Sequence, residues 1–144
     1  MEINQGLIFL LILLAGIFQV VLVFGSIAIP KVLKWKTELA KVEVLIKQMF
    51  WTYAAYILVI NLCFGLLSVF AVAELLNGSL MSLLVCGFIA VYWISRIFIQ
   101  FLYFDRREFP MGIWHRVAEV ILIILFLFLS IVYSMAFFYN YQQL

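Results

Sequence analysis

At 144 residues, 69% hydrophobic and 11% charged, the chain is too apolar for a soluble domain, which averages about 45–50% apolar and about 25% charged. Its net charge of +2 is small, and its basic residues sit beside apolar runs, which is not the footprint of a nucleic-acid binder. Four apolar runs, at about 7–29, 50–76, 80–104 and 115–139, each reach the roughly 20 residues that cross about 30 Å of hydrocarbon. They leave no room for a soluble domain, so residues 1–144 are read as a single transmembrane domain. The expected fold is all-α: an integral membrane four-helix antiparallel bundle with a short cytoplasmic amphipathic helix between spans one and two.

Segment one has no positive n-region in Met1-Glu2-Ile3-Asn4-Gln5 and no small-residue cleavage site, so it is expected to be a retained span rather than a signal peptide. Pro30 is a natural stop for it. Ala15, Gly16, Gln19 and Ser26 recur at helical spacing, the small and polar stripe through which membrane helices meet.

The first connection carries Lys31, Lys34, Lys36, Lys41 and Lys47. Positive residues near span ends stay cytoplasmic, and Arg106, Arg107 and Arg116 repeat the signal in the third connection. The termini and Asn77-Gly78-Ser79 carry no lysine or arginine, so both termini are expected outside the cytoplasm. Trp35, Leu39, Val42, Ile46 and Met49 step by three and four, predicting an amphipathic helix with its lysines toward anionic lipid headgroups. A docking surface for a partner protein is the rival reading of that stripe.

Span two places Tyr53, Asn61, Phe64 and Ser68 on one face. Gln19 and Asn61 both fall near mid-membrane and are expected to face each other or a common neighbour, as structural glue or as a substrate-coordinating pair. Asn77-Gly78-Ser79 predicts a tight turn, with glycine supplying backbone freedom and Ser79 capping the incoming helix. Cys63 and Cys86 differ in depth by roughly 8 Å at 1.5 Å per residue, which is beyond disulfide reach.

Span three carries an arginine. Tyr92, Arg96, Gln100 and Tyr103 point within roughly 80° of one another on a helix. Span four opens at Pro110, a favoured first-turn residue, and places His115, Glu119, Phe126, Ser130 and Tyr133 on one face. An arginine at this depth costs about 2.5–3.5 kcal/mol on insertion scales and needs a partner. Glu119 is the acid at matching depth, which predicts an Arg96–Glu119 ion pair flanked by Gln100, His115 and Tyr92. Asp105 and Glu108 compete if Arg96 snorkels. A register lock and a functional site for protons, ions or anionic headgroups both fit such a cluster.

No catalytic or cofactor motif stands out. The single histidine does not supply the pair that a membrane b-type haem uses, nor a metal set; no cofactor is predicted. Three functions from different classes fit. The first is a non-catalytic subunit or scaffold of a larger membrane assembly. The second is a small homo-oligomeric transporter or channel using the Arg96/Glu119 cluster, and the third a membrane-embedded enzyme or binder of a lipid or quinone. The expected partners are anionic lipid and another membrane protein or a second copy, with no nucleic acid. The compact build points to a bacterial inner membrane.

Overall fold

The structure is a computed structural model that describes residues 4–105, 107 and 111–144. Arg106, Glu108 and Pro110, and the leading Met1-Glu2-Ile3, lie outside the described residues. Every regular element among the described residues is helical. Four stretches are long and apolar enough to cross a membrane: Gln5–Val32, Val44–Phe70, Leu80–Tyr103 and Ile113–Gln143. The chain is a multi-pass membrane bundle.

Helix α1 (Gln5–Ser26) starts at Asn4, whose side-chain oxygen accepts a hydrogen bond from the Gly6 amide at 3.0 Å. That satisfies one of the four unpaired amides at a helix start. Pro30 does not stop this span. It sits in the first turn of α2 (Ile29–Val32), where its missing N–H breaks no intrahelical bond. The chain reverses at Lys34, which adopts φ 52° and ψ 40°, a left-handed conformation costing about 1–2 kcal/mol in a residue with a Cβ.

The expected amphipathic helix is divided. One turn, α3 (Trp35–Glu38), runs into a 3₁₀ turn at Leu39–Lys41, and Val42 is extended at φ −108°. The long helix α4 (Val44–Phe70) then takes Ile46 and Met49 as its own. The cause is aromatic packing. Trp35 meets Phe50 and Trp51 edge-on, with ring centroids 4.8 and 5.7 Å apart. A continuous helix would hold residues 35 and 51 about 24 Å apart at 1.5 Å per residue, so the chain must fold back.

Helix α1 lies against both α4 and α7 (Ile113–Gln143), and α7 packs along α6 (Leu80–Phe98). Phe64 of α4 meets Tyr92 of α6 at 5.4 Å between ring centroids, which closes the bundle. The α1–α4 crossing is close because it is built on glycine. A Cβ on Gly16 would stand 2.9 Å from the Gly65 carbonyl oxygen, and one on Gly65 would stand 2.9 Å from Val20. Small residues let backbones approach in this way where no water drives association.

Span two is shorter than its apolar run. Helix α4 ends at Phe70, Ala71 breaks it at φ −124°, and a single turn, α5 (Val72–Leu75), folds inward. Val72, Leu75 and Leu76 are thereby buried at the end of the bundle. Gly78 takes φ 70° and Ser79 caps α6, accepting from the Ser82 amide at 3.1 Å. Both roles follow the sequence. At the other end α6 widens into a π turn at Ile99–Tyr103.

Candidate functional site

The interior polar residues meet at one hydroxyl. Gln19 is fully buried on α1; its Nε2 donates to the Tyr133 hydroxyl of α7 and, at 3.4 Å, to the Ala15 carbonyl. The buried Ser68 hydroxyl of α4 shares a further hydrogen bond with Tyr133. Three spans are thus tied at Tyr133. Interhelical hydrogen bonds in membranes average about 0.6 kcal/mol, so this knot specifies register more than it stabilises.

Gln19 and Asn61 are both buried, yet they form no hydrogen bond with each other. Gly65 seats against the Gln19 Cβ, so the carboxamide extends past α4 to α7. Asn61, about one turn from Gly65, lies beside the Tyr92 hydroxyl instead. Tyr133 was legible only as a member of the α7 polar face. A tyrosine far from either interface belt is the signal that marks it as a hub.

Arg96 is expected to pair with Glu119, and the contact the structure gives it is with a ring on the same helix as that acid. In the first connection Lys41 pairs with Glu38 at 3.1 Å. Arg96, half-buried, instead places its guanidinium 5.6 Å from the centroid of the Phe126 ring, a cation–π contact that strengthens when desolvated. Trp93 stacks on the same Phe126 ring, with centroids 5.5 Å apart and planes 29° from parallel. Tyr92 stands edge-on to Trp93 at 5.2 Å. The result is a ladder of rings from α4 through α6 to α7 with one cation resting on it.

The remaining members of the predicted cluster diverge. Gln100 falls in the π turn, where the Phe104 amide reaches back five residues to the Ile99 carbonyl at 3.2 Å. Gln100, like Tyr92 and Arg96, is half-buried, whereas Tyr103 at the end of the wider turn is exposed. His115 is exposed at the start of α7, and Glu119 is half-buried one turn later. Among the described residues no three His, Cys, Asp or Glu side chains gather as a metal set. Cys63 is exposed and Cys86 buried, both as free thiols.

Several buried polar atoms meet no hydrogen-bond partner: Gln19 Oε1, Asn61 Oδ1, the Tyr92 hydroxyl and Trp93 Nε1. Orphaned groups of this kind in a low-dielectric interior are costly, and in native proteins they call for an explanation. A different set is fully satisfied. Buried Asn140 of α7 donates to the Leu75 carbonyl at 2.8 Å and accepts from the Gly78 amide at 3.1 Å. It clamps the turn between α5 and α6 onto α7. Nothing in the spacing of Asn140 to residues 75–78 announces this contact.

The lysines divide as well. Lys31, Lys34 and Lys36 line one cavity with Pro30, Thr37 and Trp51. Lys41 is paired with Glu38, and Lys47 lies half-buried on the first turn of α4. The cavity is far along the chain from Arg96 and belongs to the first connection. Compared with protein-family models, curated proteins and solved structures, the chain matches none, so its role is read from its own chemistry.

Proposed function

We propose that this chain is a non-catalytic subunit or scaffold of a larger membrane assembly. In this reading it is an antiparallel bundle in a bacterial inner membrane, with the first and third connections cytoplasmic and both termini outside. The observation that carries the proposal is the exposure of α4. Only 17% of its most apolar stretch is buried within the chain, against 33% for each of the other three spans. Tyr53, Tyr56, Ile60, Cys63, Leu67 and Phe70 form a continuous outward stripe at helical spacing. Two tyrosines in such a stripe suit a protein neighbour, since aromatic side chains are enriched where membrane-free and membrane-bound partners dock alike. Buried Gln19, Ser68, Tyr133 and Asn140 are engaged in joining helices, which also supports a structural role.

The test is purification of the tagged chain from its native membrane in mild detergent, with mass spectrometry of what accompanies it. A stoichiometric membrane protein that is lost from a Tyr56→Ala/Ile60→Ala variant is the expected result. A lone monomer or homo-oligomer overturns the subunit reading.

A second reading, a small homo-oligomeric transporter or channel, is supported by the orphaned atoms around Tyr92, Asn61 and Trp93 beside the Arg96 cation. Intramembrane charge is a functional candidate by default. Ion flux through reconstituted vesicles that falls in an Arg96→Gln variant would establish it, and flux indistinguishable from protein-free vesicles would end it.

A further inference from the structure

The first connection folds into a basic cup. Pro30, Lys31, Lys34, Lys36, Thr37 and Trp51 line an open depression of about 450 Å³. Three of its six lining residues are cationic and none is acidic. The nearest acid in sequence, Glu38, is turned to Lys41 at 3.1 Å, and no acid is among the lining residues. Two features hold the cup in shape. Lys34 takes the left-handed conformation that reverses the chain, and its carbonyl accepts from the Thr37 and Glu38 amides at 3.0 and 3.1 Å. Trp35 then docks on Phe50 and Trp51, fixing α3 against the start of α4.

We infer that this cup is a binding site for the phosphate headgroup of an anionic membrane phospholipid, an inference that rests on the chain being membrane-spanning but not on its being a subunit. Three lysines lining one depression supply the charge a phosphate needs, which lysine binds as a point charge. The apolar surroundings select lipid over a soluble phosphate. Pro30 and Trp51 form part of the wall, and Ile27, at the junction of α1 and α2, and Phe24, in the last turn of α1, are both exposed on the approach to Lys31. A phosphate seated at Lys31 therefore has exposed apolar side chains within two turns of sequence for its acyl chain to follow. Tryptophan at the mouth fits the headgroup level, where its amphipathic ring is favoured. The rest of the basic set does not share this geometry: Lys41 is paired, and Lys47 lies on α4 away from the cup.

The test is native mass spectrometry of the full chain in detergent, titrated with phosphatidylglycerol, phosphatidylcholine or inorganic phosphate. Two variants of equal charge loss are compared, Lys31→Gln/Lys34→Gln inside the cup and Lys41→Gln/Lys47→Gln outside it. Each lysine near an anionic surface contributes enough that losing two should weaken phosphatidylglycerol retention roughly tenfold or more. The outside variant should retain it within about twofold of the original chain. Circular dichroism of both variants checks that each keeps the helical content of the parent. Equal losses in the two variants would mean diffuse surface charge and overturn the site. Equal retention of phosphatidylcholine, or displacement of the lipid by inorganic phosphate at comparable concentration, would overturn an anionic-lipid ligand.

Discussion

Gly16 and Tyr133 show how single side chains set this bundle. A Cβ at Gly16 meets the backbone of Gly65 and Ser68 at 2.9 Å, and backbone cannot step aside cheaply. Gly16→Val should therefore destabilise the α1–α4 contact by about 1–3 kcal/mol, the usual cost of overpacking. Gly25, with nothing within 4 Å of its absent Cβ, serves as the contrast. Gly25→Ala should be neutral or stabilising by up to about 1 kcal/mol. Unfolding midpoints in detergent, measured side by side, check both signs. Tyr133→Phe leaves Gln19 and Ser68 without their shared hydroxyl and should cost about 0.6–1.7 kcal/mol. Combined with Gln19→Leu the losses should be less than additive, because both variants remove the same bond. A double-mutant cycle with purely additive losses would show that the two side chains are not energetically coupled.

At the level of elements, the end of α4 and its turn depend on α7. The apolar run continues to Leu76, yet the helix breaks at Ala71 and folds α5 inward. Burial of Val72, Leu75 and Leu76 favours the break, and Asn140 satisfies the backbone groups that the break exposes. Asn140→Leu keeps the volume and removes both hydrogen bonds, leaving a buried carbonyl and an amide unpaired at about 1–3 kcal/mol. Amide exchange over residues 72–78 should rise in this variant while that of α1 stays unchanged. Gly78→Ala probes the same turn from the other side. Its φ of 70° disfavours a Cβ, and the added atom would stand 2.7 Å from Gln143 Oε1. The π turn at the end of α6 is a second element that even α-spacing does not announce: it changes the direction of the residues after Phe98, Tyr103 most of all.

For the whole molecule, orientation and assembly follow from charge and exposure. The proposed topology predicts that a cysteine introduced at Gln143, in a chain lacking Cys63 and Cys86, reacts with a membrane-impermeant maleimide in intact cells. A cysteine at Lys36 should react only after lysis. The reverse pattern would invert the orientation, since the lysine-rich connection would then lie outside against the bias of positive residues toward the cytoplasm. The outward stripe of α4 belongs to this scale too. Its exposure has no meaning for the helix alone, and becomes a statement about neighbours only once the other three spans are seen to bury twice the share.

The number of spans, their approximate limits and the Gly78–Ser79 turn chemistry were determined by sequence alone. The reason is that hydrocarbon thickness and backbone geometry act on contiguous residues. The partners of Gln19, Asn61 and Arg96 were not. Depth along a helix brought Arg96 level with Glu119, but rotation about the helix axis and the π turn decide which neighbour a side chain meets, and both depend on packing. Tertiary structure accordingly gave Arg96 an aromatic face, gave Gln19 the Tyr133 hydroxyl, and gave Asn140 a turn more than 60 residues away in sequence. It also divided the five lysines of the first connection, expected to face anionic headgroups together, into a cup of three and two others outside it.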